Sequence, residues 1–177
     1  YWGINKTFDQ LELHNIFFSN SYEDEFHEIS SGKNVSDDPT IYVNITSKQQ
    51  KSDAPKNCEN WFVMINTPSN YGQEWGDIIL KAKENIIHKL NRILRTSIEN
   101  HIVFENILDP RSIESKTASF KGSLYGTASN KRKAAFFRHP NFSKSIQGLY
   151  FCGGSVHPGG GIPLALSSAK IVDKLIT

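Results

Sequence analysis

One stretch near the end of the chain constrains its fold more than any other: Gly148-Leu-Tyr-Phe-Cys-Gly-Gly-Ser-Val-His-Pro-Gly-Gly-Gly-Ile-Pro-Leu-Ala-Leu-Ser-Ser-Ala-Lys170. Leu149 to Cys152 is a short apolar run bounded by glycine, a pattern that predicts a buried strand. Gly153 and Gly154 follow at once, and Gly159, Gly160 and Gly161 come shortly after. Pro163 suits a first helical turn, and residues 164–176 can continue as helix. The unit therefore reads as strand, glycine-rich loop, helix. Such a loop lets backbone approach a bound group closely, because glycine lacks a Cβ and tolerates positive φ. The free N–H groups of the following helix favour an electron-rich partner. A tight turn with no ligand fits the same glycines. Ala165, Ser168 and Ala169 give the helix a small-residue side, and Leu164, Ile171, Val172 and Leu175 an apolar one, as in a helix docked on a larger body.

The string Gly153-Gly-Ser-Val-His-Pro-Gly-Gly-Gly-Ile-Pro163, with Ser168-Ala-Lys170 after it, resembles the C-terminal motif of bacterial phytoene desaturases. These are FAD-dependent carotenoid desaturases of the flavin amine-oxidase-like superfamily. The likeness runs upstream through Gly122-Ser-Leu-Tyr-Gly126, Phe137-Arg-His-Pro-Asn141, Ile41-Tyr-Val-Asn-Ile-Thr-Ser47 and Asn60-Trp-Phe-Val-Met-Ile-Asn66, and so covers essentially the whole chain. It implies that Gly153, Gly154, Ser155, His157, Pro158, Gly159, Gly160, Gly161, Ile162 and Pro163 run beside the flavin. It also draws attention to Tyr125 and Arg138 as substrate-side groups, for which a packed tyrosine and a structural ion pair read equally well. No residue earns a catalytic assignment.

In that family a Gly-x-Gly-x-x-Gly turn grips the dinucleotide, with an acidic residue about 20 positions on. No such motif occurs here, and the chain opens at Tyr1-Trp-Gly-Ile. The resemblance thus implies the C-terminal portion of a longer desaturase whose FAD site is incomplete in these 177 residues and which alone should bind FAD poorly. The implied chemistry removes two hydrogens from a long polyene precursor such as phytoene, one as hydride to the flavin, with quinone or oxygen as final acceptor. A carotenoid isomerase or saturase on the same fold, or a non-catalytic lipid- or membrane-binding module, remains open.

Composition narrows the remaining classes. With 38% hydrophobic and 21% charged residues the chain is ordinary for a globular domain, and a net charge of +2 gives no ground for a nucleic-acid partner. No apolar run approaches the ~20 residues that span a bilayer, so membrane contact would be peripheral. Cys58 and Cys152 make no disulfide framework, which points to a reducing, cytoplasmic setting, with peripheral contact at the inner face of the membrane as the family implies. The histidines, at 14, 27, 88, 101, 139 and 157, have no metal-site spacing. Gly153-Gly-Ser155 with His157 is not a hydrolase elbow. Lys131-Arg-Lys133 beside Phe136 and Phe137 reads first as a solvated loop, and second as a rest for anionic headgroups.

The period of the apolar residues supplies the elements. Leu11, Leu13 and Phe17 alternate with polar neighbours over 11–18, a half-buried strand. Ser21 ahead of Glu23, Asp24 and Glu25 predicts a capped helix. Ile41, Val43 and Ile45 face one way in a strand over 40–46, and Trp61 to Ile65, apolar on both faces, should be a central strand. The polar segment 47–59 between them reads as an exposed loop. From Trp75, residues Ile78, Ile79, Ala82, Ile86, Leu90, Ile93 and Leu94 fall at helical spacing, with Lys81, Lys83, Glu84, Lys89 and Arg92 on a solvated opposite face. A strand over 101–108 and a short helix from Asp109-Pro110 complete the set.

The predicted fold class is α+β, with a mixed or antiparallel sheet, covering helices and a C-terminal strand–loop–helix. The resemblance assigns that last unit to a Rossmann-like FAD-binding domain. It divides the chain into a substrate-binding domain over 1–120, a connecting segment near the active site over 121–147, and a return segment of the FAD domain over 148–177.

Overall fold

The computed structural model of the chain describes residues 1–32, 34–126 and 138–177. The basic cluster at 131–133 and its aromatic neighbours lie outside the described residues. The chain divides into two compact units, Tyr1–Asp109 and Pro110–Thr177.

The first unit is a five-stranded antiparallel sheet of β1 (Trp2–Ile4), β2 (His14–Phe17), β3 (Ile41–Asn44), β4 (Glu59–Ile65) and β5 (Ile102–Glu105), in the order β2-β3-β4-β1-β5. The strand predicted around Trp61 is the middle one. Its neighbours are fixed by Trp2 opposite Trp61 on one side and Val43 opposite Val63 on the other. Alternation carries Ile41, Val43 and Ile45 onto one face, where all three are fully buried. Trp2, Ile4, Trp61, Ile86, Leu90 and Ile98 share that core, and each large apolar side chain so buried contributes about 1.5–3 kcal/mol. The other face of β4 is more open than predicted: Met64 is exposed and Phe62 only half-buried.

Helix α1 (Tyr22–Ser31) begins as its sequence dictates, with Ser21 Oγ accepting from the N–H of Asp24 at 3.3 Å and three acidic residues in the first turn. It ends at Gly32 in the left-handed region, φ 75°. Glu25, buried, ties α1 to the start of β3 by accepting from the Thr40 N–H at 3.0 Å and hydroxyl at 2.6 Å. The long helix is α2 (Trp75–Leu94), and Trp75, Ile86 and Leu90 are buried as its stripe predicts, while Ile93 is exposed.

Three further details of the first unit differ from the sequence reading. Lys89, placed on the solvated face, is buried: its ammonium donates to Asp38 Oδ1 at 2.8 Å and to the Pro39 carbonyl at 2.9 Å. The segment 47–59 is not simply an exposed loop. It folds into two short 3-10 turns, Thr46–Lys48 and Lys51–Asp53, and buries Ser47 and Glu59. Glu59 is saturated, accepting from the Phe8 N–H at 3.0 Å, the Lys48 ammonium at 2.7 Å and Trp61 Nε1 at 2.8 Å. A buried carboxylate is tolerable only with such partners. Finally, the strand predicted over 11–18 is β2 and pairs only over His14–Phe17, although Leu11 is buried as the alternation implies.

The second unit holds α3 (Pro110–Thr117), which starts at the predicted proline, and α4 (Ile162–Ile176). The predicted buried strand at Leu149–Cys152 is absent as such. Among the described residues it makes one isolated bridge, Tyr150 with Phe142; Leu149 and Cys152 are exposed. A strand is buried by its neighbours in a sheet, and this run has a single partner segment within the unit.

Candidate functional site

The second unit is built around the glycine turn. Gly153, Gly159 and Gly161 take φ of 118°, 138° and 96°, which a side chain would strain. The His157–Pro158 peptide bond is cis. Gly161 precedes α4 with no side-chain cap, and Pro163 lies in the first turn, one residue later than the helix start at Ile162.

Polar groups fix this turn from below. Asn141, 4% exposed, points its Nδ2 at the Phe151 carbonyl (3.1 Å), the His157 carbonyl (2.9 Å) and Ser168 Oγ (2.9 Å). Ser168, on α4 and fully buried, also accepts from the Gly153 N–H at 3.1 Å. The backbone adds Phe151 N–H to the Asn141 carbonyl at 2.8 Å and His157 N–H to the His139 carbonyl at 2.9 Å. His139 donates from Nδ1 to the Pro140 carbonyl at 2.8 Å and sets its ring edge-on to Phe151, centroids 4.9 Å apart.

From another side come the two substrate-side candidates. The Tyr125 ring lies where a Cβ on Gly160 would have to go. Arg138 donates from Nη1 to the Tyr125 carbonyl at 3.1 Å, and its Nε would sit 3.0 Å from a Cβ on Gly159. A Cβ on Gly126 would approach the Ser155 carbonyl oxygen to 2.9 Å. The segments around Tyr125, Arg138 and Gly153–Pro163, separate in sequence, are therefore one assembly. Ser155, His157, Ile162 and Pro163 are exposed on it, whereas Gly159 is buried.

Space remains on the other side of the turn. Nothing lies within 4 Å of where a Cβ would stand on Gly153 or Gly161. Among the described residues no hydrogen bond engages the amides of Gly154, Gly159, Gly160 or Gly161. Unpaired amides beside an open glycine surface suit a flat, electron-rich group such as an isoalloxazine edge, so the residues present fit FAD. Among the described residues no cluster of His, Cys, Asp and Glu could hold a metal ion.

Sequence reasoning missed Asn141 and Ser168 as parts of the site. Both lie in strings that carry the family resemblance, Ser168-Ala-Lys170 and Phe137-Arg-His-Pro-Asn141, but neither string says that the two side chains meet.

No family model matches the chain. Curated relatives do. A 1-hydroxycarotenoid 3,4-desaturase of Flavobacterium sp. (strain P99-3) is 58% identical over 99% of this chain and 36% of its own length. A 4,4'-diaponeurosporene oxygenase of Staphylococcus haemolyticus (strain JCSC1435) is 34% identical over 98% of this chain and 35% of the relative. A protein of the same description from Staphylococcus aureus (strain MSSA476) is 36% identical over 98% and 35%. The chain thus spans about a third of the length of these relatives, 35–36%. By their names, these relatives are enzymes that desaturate or oxygenate carotenoids. The chain resembles the C-terminal portion of such carotenoid desaturases.

Proposed function

We propose that this chain is the C-terminal part of an FAD-dependent enzyme that desaturates a long acyclic carotenoid. The observation that supports it most is the glycine turn, held rigidly on one side by Asn141, Ser168, Tyr125 and Arg138 and open on the other at Gly153 and Gly161. When bound, FAD would supply the two-electron acceptor for a hydride from the polyene, the second hydrogen leaving as a proton to water, with a quinone or oxygen as the final oxidant. The chain's own residues position and exclude. Residues 153–163 offer backbone to the flavin edge, and Tyr125 and Arg138 stand where substrate would meet that turn. Residues 1–120 act as the substrate-binding domain, 121–147 as the connection near the active site, and 148–177 as the return into the FAD-binding domain.

The sheet offers a surface for an apolar chain. Its core face is closed, but Tyr42, Phe62 and Met64 lie on the opposite face, and Tyr42 and Met64 join Ile16, Phe18 and Tyr22 around a concavity of about 270 Å³ beside α1. Tyr42 meets Phe62 edge-on with centroids 6.4 Å apart. In strands 41–45 and 61–65 these even-numbered side chains would line the substrate path, while the odd-numbered ones support it. Among the described residues no helix is long and apolar enough to cross a membrane. A cytoplasmic enzyme that touches the inner membrane face peripherally to collect its lipid substrate belongs to the same proposal.

The stronger identity is to a desaturase, 58% against 34–36% for the oxygenases, which favours desaturation and a hydroxylated carotenoid over phytoene as substrate. Oxygenation is the second reading. The full-length enzyme with FAD, offered acyclic carotenoids with and without a 1-hydroxyl group, should yield products two hydrogens lighter with red-shifted absorption. A product that gains oxygen supports the second reading, and an unchanged pigment with flavin bound rejects both.

A further inference from the structure

Asn141 and Ser168 form the only buried polar pair of the second unit among the described residues, and both bind the glycine turn. Their hydrogen bonds have an order. The Asn141 amide reaches carbonyls on both sides of the turn, at Phe151 before it and His157 within it, so it holds the two limbs at a set spacing. Its third contact is Ser168 Oγ, which accepts the Gly153 N–H. The first amide of the turn is thereby pulled inward and tied to α4, while those of Gly154 and Gly159–Gly161 have no partner among the described residues. Both side chains are neutral and lie away from the open side of Gly153 and Gly161.

We infer that Asn141 and Ser168 are positioning residues that fix which backbone amides the turn presents to the flavin, acting on the cofactor solely through the loop. The inference rests on the proposed function, since it takes the open side of the turn to face FAD. Loss of one such buried hydrogen bond leaves a donor or acceptor unsatisfied, and a shift of the turn of a few tenths of an ångström degrades contacts that depend on fixed geometry.

The test uses the full-length holoenzyme with Ser168→Ala and Asn141→Asp. Amide hydrogen exchange at Gly153, the dissociation constant for FAD and the vibronic shape of the bound-flavin spectrum are measured for each. Gly153 should be protected in the wild type and exchange faster in both variants. FAD should bind roughly tenfold more weakly with an altered spectrum, while circular dichroism and the unfolding of the sheet stay unchanged. Asn141→Asp should recover part of its affinity on acidification, because the protonated carboxyl regains one donor; burial raises the pH at which this happens. Should Gly153 lose protection while FAD affinity and spectrum remain as in the wild type, the two residues are structural only and the inference is overturned, with the proposed function intact. A wild-type protein that binds no flavin overturns both.

Discussion

The two units differ most in how much apolar surface they bury. Every member of the buried apolar cluster, from Trp2 to Ile98, belongs to Tyr1–Asp109. In Pro110–Thr177, Val156 is the single large apolar side chain that is buried among the described residues, whereas Leu124, Ile162, Leu166 and Ile176 are more than half exposed. What the second unit buries is polar: Asn141 and Ser168, around a backbone turn. A unit with a closed core can be stable by itself. One that buries little apolar surface and saves its buried contacts for backbone carbonyls and amides leaves room for a complement. Under the proposed function, that complement is the dinucleotide-binding portion and its flavin.

The sharpest way to break this contrast is Trp61→Ala. Trp61 is 1% exposed on the central strand and donates to Glu59. The substitution should cost about 3–5 kcal/mol of stability in urea denaturation followed by sheet circular dichroism. A loss under 1 kcal/mol would mean the first unit is not held by its core. Next comes Gly159→Ala, at φ 138° and against Arg138. It should introduce roughly 1–3 kcal/mol of local strain, seen as weaker FAD binding by the full-length enzyme with no change in the first unit's unfolding midpoint. Equal loss in both readouts would dissolve the distinction between the units.

A smaller effect separates them by pH. Burial opposes ionisation of Asp38, but the Lys89 ammonium and the Asn20 N–H outweigh it, and the carboxyl is held below its usual range. Glu105 is lowered in the same sense, its burial outweighed by Lys83 and Trp2 Nε1. A depressed carboxyl stabilises the fold above its unfolded-state value and loses that contribution as pH falls through the folded-state value. The first unit should therefore weaken below about pH 4. Lys89→Met should flatten the part of that acid limb due to Asp38. The neutral Asn141–Ser168 clamp should show no such limb; acid-dependent exchange at Gly153 would argue otherwise.

Much of the first unit was legible in the sequence because its signals are local and periodic. Ser21 announced α1, Ile41–Ile45 announced β3 and its buried face, and the stripe from Trp75 announced α2. What escaped notice depends on distant partners. Lys89 looks like any surface lysine until Asp38, 51 positions away, arrives to bury it. Glu59 reads as loop until Phe8, Lys48 and Trp61 surround it. In the second unit the glycines of the turn, and Tyr125 and Arg138 beside it, were visible. The strand predicted at Leu149–Cys152 was misread, because an apolar run specifies burial without saying what supplies it. Asn141 ended a string that carried the resemblance, but its role was not legible, because three carbonyl and hydroxyl partners, spread from Phe151 to Ser168, give no pattern along the chain.

The central claim, that the turn of residues 153–163 lies against the flavin, is tested most directly by hydrogen–deuterium exchange of the full-length enzyme with and without FAD. FAD should slow exchange at Gly154 and Gly159–Gly161 while Gly153, already tied to Ser168, changes little. Flavin bound with no change across 153–163 would contradict it.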